Sequence, residues 1–267
     1  MTSRAAGPAS GATGVPALVA HQVRYEQKNY WRSPQSAFFT FAFPIMFLVI
    51  FASLNKGARI KELDDISFNQ YYIPSIMAFG LMSACYTNLA IALATRRDEG
   101  ILKRLRATPL PNWAMFAGLT GNALVTSSIL VVLTLGVGVA GYDVHPPYHV
   151  LPLVVALLLG VVAFCALGVA VSALVPTAEA APAIVNFPFF LLTFVSGTFF
   201  HVPEGSTLVR IADAFPLIHL NRAVFAPFDP TAHGGGWRWH DLLVLALWAA
   251  GGTVVAVRRF RWEPRRS

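Results

Sequence analysis

Residues 95–113 read TRRDEGILKRLRATPLPNW, a compact stretch with five basic and two acidic residues, set between two long apolar segments. Thr95 and Asp98 have capping-box spacing, and Asp98 and Glu99 suit a helix N-terminus. Ile101, Leu102 and Leu105 fall on one stripe. Lys103, Arg104 and Arg106 follow near the C-terminal end, the sign a helix dipole favours there. Pro109 and Pro111 end the run. The pattern predicts two to three helical turns with three apolar knobs and a charged rim. A helix this short cannot bury its own knobs, so it must lie on lipid or plug into a protein socket.

The segments on either side predict membrane spans, each needing about 20 mostly apolar residues. Over the 267 residues, 55% are hydrophobic and 12% charged, too few polar groups to cover a soluble globule. Six spans are expected: 35–54, 71–95, 113–140, 150–175, 182–200 and 241–257, the last being the shortest. With the N-terminus inside, the inner segments carry 14 Lys and Arg residues and the outer ones 6. Basic residues favour the cytoplasmic side, so both termini are expected there. The fold class is therefore all-α integral membrane, with a single domain of six spans over 35–257.

Around that domain, residues 1–15 are expected to be a disordered tail, lacking the apolar core of a signal peptide. Residues 16–34 alternate Leu18, Val19, Val23 and Tyr30 with Arg24, Glu26, Lys28 and Arg32, which predicts an interfacial helix. Residues 258–267 form a basic tail. In the segment 201–240, STLVRIADAF and LIHLNRAVF predict two short amphipathic helices dipping into the outer leaflet. Ser206 is placed to cap the first, and Arg210 to pair with Asp213.

Several chemistries find no support. No G-x-x-x-x-G-K-[ST] phosphate loop is present. The HGGG at 233–236 lacks a G-x-S-x-G partner and reads as a turn. His145 and His149 are separated by Pro146 and Pro147, which disfavour the helix that would align them on a metal. Cys85 and Cys165 lie inside apolar runs and imply neither disulfide nor zinc spacing. Neither a catalytic residue nor a metal site is expected, and the basic net charge of +7 is read as membrane topology rather than nucleic-acid binding. The spans have no central Asp, Glu, Lys or Arg, which argues against an ion-coupled mechanism. They do carry uncharged polar residues: Ser83, Thr87 and Asn88, then Asn122 and Thr126, then Asn186, Thr193 and Ser196. These either bond between helices or line a path for a passenger.

RRDEGILKRLRATPLP resembles the cytoplasmic signature of ABC-2 type transporter permeases, through Glu99, Gly100, Leu102, Leu105 and Pro109. YWRSPQSAFFTFAFPIMFLVIFASL and FVSGTFFHVPEGSTLVRIADAFPLIHLNRAVF are similar to that family's entry to the first span and its fifth-span end. His201 and Val202 stand where a proline often follows the aromatic pair. The flavour is similar to daunorubicin-resistance exporters of bacterial plasma membranes. The resemblance implies the membrane subunit of an ATP-driven exporter, one half of a dimer with a second copy or a sister permease. It implies a separate ATPase subunit holding ATP and magnesium, and an amphiphilic substrate such as a drug, antibiotic, lipid or glycan. Glu99, Gly100, Leu102, Lys103, Arg104 and Leu105 would form the coupling helix, with Leu102 and Leu105 as knobs in the ATPase cleft. Asn88, Asn186 and Phe190 are candidates for the substrate path. A membrane-embedded lipid- or glycan-modifying enzyme and a passive channel or scaffold are the other classes to be weighed.

Overall fold

The computed structural model describes residues 14–63, 65–108, 111–199, 206–232 and 234–260. The expected tail 1–15, most of 258–267, Pro109, His201 to Pro203 and His233 fall wholly or largely outside them.

Helix α1, Val15–Trp31, comes first. A helical run follows through α2 (Pro34–Ala37), a π-helical turn at Phe38–Ala42 and α3 (Phe43–Leu54). A two-residue hairpin pairs β1 (Arg59–Ile60) antiparallel with β2 (Ile66–Ser67). Ser67 then caps α4 (Phe68–Met82) by accepting from the Gln70 amide at 3.3 Å. A second π-helical turn, Ser83–Thr87, joins α4 to α5 (Asn88–Asp98). After α6 (Ile101–Arg106) come α7 (Asn112–Tyr142), α8 (Val150–Ser172) and α9 (Ala181–Val195). The chain closes with α10 (Thr207–Ala212), α11 (Pro216–Phe225) and α12 (Trp239–Arg259).

Among the described residues, four helices are long and apolar enough to cross a membrane: Phe68–Asp98, Trp113–Tyr142, Val150–Ser172 and Trp239–Arg259. The six expected spans are therefore not all matched by helices of spanning length among the described residues. The first and fifth correspond to the shorter apolar helices Thr40–Leu54 and Ala181–Val195. At about 1.5 Å per residue, 15 residues of α9 reach about 22 Å, against an apolar core of about 30 Å. The cause is local: Ser196 leaves the helix and Gly197 takes φ +73°. The sixth segment, expected to be the shortest, is instead a 21-residue helix extended at both ends.

The long helix Phe68–Asp98 is the centre of the bundle. Nearly every residue of α4 is buried, including Tyr72, Ile76, Met77 and Phe79. Small residues let its neighbours close on it, the usual basis of helix association in lipid. A Cβ at Gly168 of α8 would lie 2.9 Å from the Tyr86 carbonyl oxygen and 3.0 Å from that of Cys85. The backbone of α8 therefore rests directly on the π-turn.

α1 packs along the first turns of α7, where a Cβ on Gly121 would overlap Val23. α7 has 31 residues, about 46 Å, longer than an apolar layer of about 30 Å. α1 is thus docked on protein along one side.

α11 departs most from expectation. Leu217, Ile218, His219, Leu220, Asn221, Ala223 and Val224 are all buried, and the helix packs on α4, α8 and α12. It sits inside the bundle and does not lie on a leaflet surface. Ser206 does accept from the Val209 amide at 3.3 Å. Asp213, expected to pair with Arg210, pairs with Arg222 at 2.7 Å.

Candidate functional site: a polar-walled cavity beneath a charged helix

Gly100 decides the geometry of the charged stretch. The long helix that begins at Phe68 runs through Asp98, so Thr95 to Asp98 end a helix; they do not begin one as the capping-box spacing suggested. Amides of Glu99 and Gly100 close it by donating to the Thr95 and Arg97 carbonyls, both at 3.0 Å. Gly100 then adopts φ +70°, a conformation glycine takes without the Cβ penalty. A new short helix, α6, starts at Ile101.

α6 does not present three knobs. Leu102 is completely buried and belongs to the main core of this chain, a burial worth about 1.5–3 kcal/mol. Leu105 is half-buried against the same core. The helix folds back on α5, and Leu102 faces the space between them. Its role as a knob for another protein is therefore replaced by one inside this chain. Glu99, Lys103, Arg104 and Arg106 are exposed.

Consecutive helical residues point about 100° apart, and the three before Glu99 hold three different elements. Arg96 grips Glu26 of α1 through two bonds of 2.8 and 2.6 Å, with both side chains largely buried. Arg97, 2% exposed, donates to the Ser172 carbonyl at 2.8 Å and the Val175 carbonyl at 2.5 Å, satisfying the end of α8. Asp98 accepts from the Ala178 amide at 2.6 Å in the α8–α9 connection. The sequence reading missed this clamp. Its visible signal is the adjacent Arg96, Arg97 and Asp98, three charges in a row at the end of an apolar run.

Beneath this element lies a cavity of about 940 Å³, bounded by α1, α4, α5, α7 and α9. That is large enough for a drug-sized molecule. Glu26, Arg96 and Glu99 stand at its charged end. Phe43, Phe79, Phe189 and Phe190 provide apolar wall, and Ser83, Thr87, Asn88, Asn122, Thr126 and Asn186 the polar wall. Asn88, Asn186 and Phe190 thus come together around one space.

The hydrogen bonds separate the two readings of these polar residues. Asn88 donates to Thr40 at 2.5 Å, bringing the two π-turns together. Gln27 donates to Thr126 at 3.2 Å, Thr193 to the Phe189 carbonyl at 2.8 Å, and Asn221 to Ser196 and Thr198. These bond between or within helices. By contrast, the Thr87 hydroxyl and the Asn122 side-chain oxygen are buried without a partner among the described residues. An unpaired buried polar atom costs about 1–3 kcal/mol, so these two are the better candidates for meeting a passenger.

The family model described as ABC-2 type transporter matches residues 19–228. YvfS of Bacillus subtilis, named a transport permease, is 22% identical over 222 residues, covering 82% of this chain and 87% of that one. YadH of Escherichia coli, named an inner membrane transport permease, is 21% identical over 157 residues, 58% of this chain and 60% of its own length. YbhR of Escherichia coli, named a multidrug ABC transporter permease, is 22% identical over 80 residues, 30% of this chain and 22% of its own.

Proposed function

This chain belongs to the ABC-2 type transporter family, and from that premise we propose that it is the membrane subunit of an ATP-driven exporter for an amphiphilic substrate. The observation that carries the reading is that one element serves two surfaces. Glu99 and Ile101 border the cavity, while Lys103, Arg104 and Arg106 of the same turn-and-helix face outward. A partner that moved α6 would reshape the cavity mouth through bonded contacts, which is the bistable link that switching requires.

In this reading, Glu99, Lys103, Arg104 and the half-buried Leu105 meet a separate ATPase subunit that carries ATP and magnesium. Gly100 sets the angle, and Leu102 anchors α6 to its own bundle. The substrate enters the space walled by Thr87, Asn122, Asn186, Phe190 and Asn88. Phenylalanines there suit an apolar body, and the charged end suits a polar head. Both termini lie in the cytoplasm, and the chain pairs with a second copy or a sister permease across the bacterial plasma membrane. The six-crossing topology is kept, with α3 and α9 as short apolar helices. The name of YbhR supports multidrug substrates, while the paired aromatic and amide wall equally suits lipid or glycan conjugates.

The test is affinity capture of the full chain from its native membrane, with the co-purifying P-loop ATPase scored. The wild type should retain it, and Leu105→Asp combined with Lys103→Glu and Arg104→Glu should lower its yield at least tenfold while the permease stays folded. Unchanged capture together with unchanged export would refute the coupling assignment.

A further inference from the structure

At the opposite end of the bundle from α6, two histidines and an aspartate converge where α11 meets the start of α12. His219 Nδ1 lies 2.7 Å from Asp241 Oδ1, and His240 Nδ1 lies 3.9 Å from the same oxygen. The three ligand atoms are all within 4.8 Å of one another. We propose that His219, His240 and Asp241 form a binding site for one divalent ion of the zinc class, which fastens the buried helix α11 to α12.

The donor set, two imidazoles and one carboxylate, suits zinc and its neighbours rather than calcium or magnesium. Tetrahedral zinc with ligands at about 2.0–2.2 Å places neighbouring ligand atoms about 3.3 Å apart. Reaching that spacing takes a few tenths of an ångström of opening between His219 and Asp241 and a small rotation of His240. His240 is free to turn, since its side chain is 81% exposed, and it gives the ion a way in from solvent.

The surrounding bonds match what metal ligands need. His219 Nε2 lies 3.0 Å from the Asp213 carbonyl oxygen. A carbonyl only accepts, so Nε2 carries the proton and Nδ1 is the nitrogen that can offer a lone pair. The second carboxylate oxygen of Asp241 accepts from Arg238 Nε at 2.7 Å. A histidine held by a backbone carbonyl and a carboxylate held by a donor are the usual outer partners of a metal site. On binding, the proton shared between His219 Nδ1 and Asp241 leaves to solvent, and nothing is oxidised or reduced.

The experiment uses the full chain in detergent, free of polyhistidine tag and stripped with chelator, titrated with Zn²⁺ by calorimetry and with Co²⁺ by visible absorption. One ion per chain is expected, with a Co²⁺ spectrum of four-coordinate type and a raised melting temperature. His240→Ala touches only an exposed side chain, so its metal-free melting temperature should match the wild type. Its Zn²⁺ affinity should fall at least tenfold, because losing even an outer partner typically costs 10–100-fold. His145→Ala and His149→Ala should bind as the wild type does. Absence of binding in the wild type, or equal binding by wild type and His240→Ala, overturns the proposal and leaves the cluster an ion pair only.

Discussion

Both ends of this bundle bury ionic groups, and they do so for different ends. At the α6 end, Arg96, Arg97 and Asp98 reach outward from one helix to three separate elements, and the helix they precede stays exposed along its basic face. At the α11 end, His219 and Asp241, each 1% exposed, close on each other and hold a helix that is almost wholly buried. Burial lowers the pKa of His219, but the bonds to Asp241 and to the Asp213 carbonyl more than offset it, so His219 is raised above its ordinary value. The first arrangement ties three elements to the end of one helix. The second fixes one part in place.

The contrast can be broken by mutation. The largest effect is expected at the far end: Asp241→Ala leaves the His219 ring and the Arg238 guanidinium without their carboxylate. Removing one partner of a buried pair costs about 3–5 kcal/mol, so the melting temperature in detergent should fall sharply. Next is the pair of leucines on α6. Leu102→Ala should destabilise by about 2–5 kcal/mol as a cavity-forming core change, whereas Leu105→Ala should cost clearly less in the same denaturation assay. Equal costs would show that α6 is not anchored on Leu102.

Glu26→Gln comes third. It uncouples α1 from Arg96 and should cost about 1–3 kcal/mol, with the α1–α5 contact becoming accessible to cross-linking or proteolysis before global unfolding. Thr87→Val should be close to neutral in stability, because it removes an unpaired hydroxyl, yet it should change the transport or binding of an amphiphilic probe. The smallest effect is at Arg59→Ala. Its pair with Asp65 is 61% exposed on both sides, and such pairs contribute about 0–1 kcal/mol.

The legible parts of this structure were those set by local pattern. Apolar length marked the long helices, and Pro and charge marked their ends. Periodicity shows that Ile101, Leu102 and Leu105 share a stripe, not that Leu102 turns toward its own bundle. The Gly100 break looked like helix interior, since a glycine in a charged run carries no mark of positive φ. The length of α9 depended on Ser196 and Gly197, which read as part of an apolar stretch. His219 and Asp241 are 22 positions apart, and only the burial of α11 brings them together. In the cavity, composition supplied Asn88, Asn186 and Phe190, but a sequence cannot tell a bonded amide from an unpaired one. Asn88 is tied to Thr40, and Thr87, one of the polar residues noted on the same span, has no partner among the described residues.

The π-turn at Ser83–Thr87 has a mechanical consequence. A π-turn is in effect one residue inserted into an α-helix, and one residue is about 100° of rotation. The widened turn takes up that residue, so the helix keeps its phase on either side of Ser83–Thr87. Between Thr87 and Arg96 no bulge is present to take up a change, and deleting one residue there would turn the far end by about a quarter revolution. Arg96 would then swing off Glu26, Arg97 off the end of α8, and Asp98 off Ala178, all at once and without any of them being altered. The whole clamp is indexed, like a keyed shaft, by the number of residues that follow the bulge.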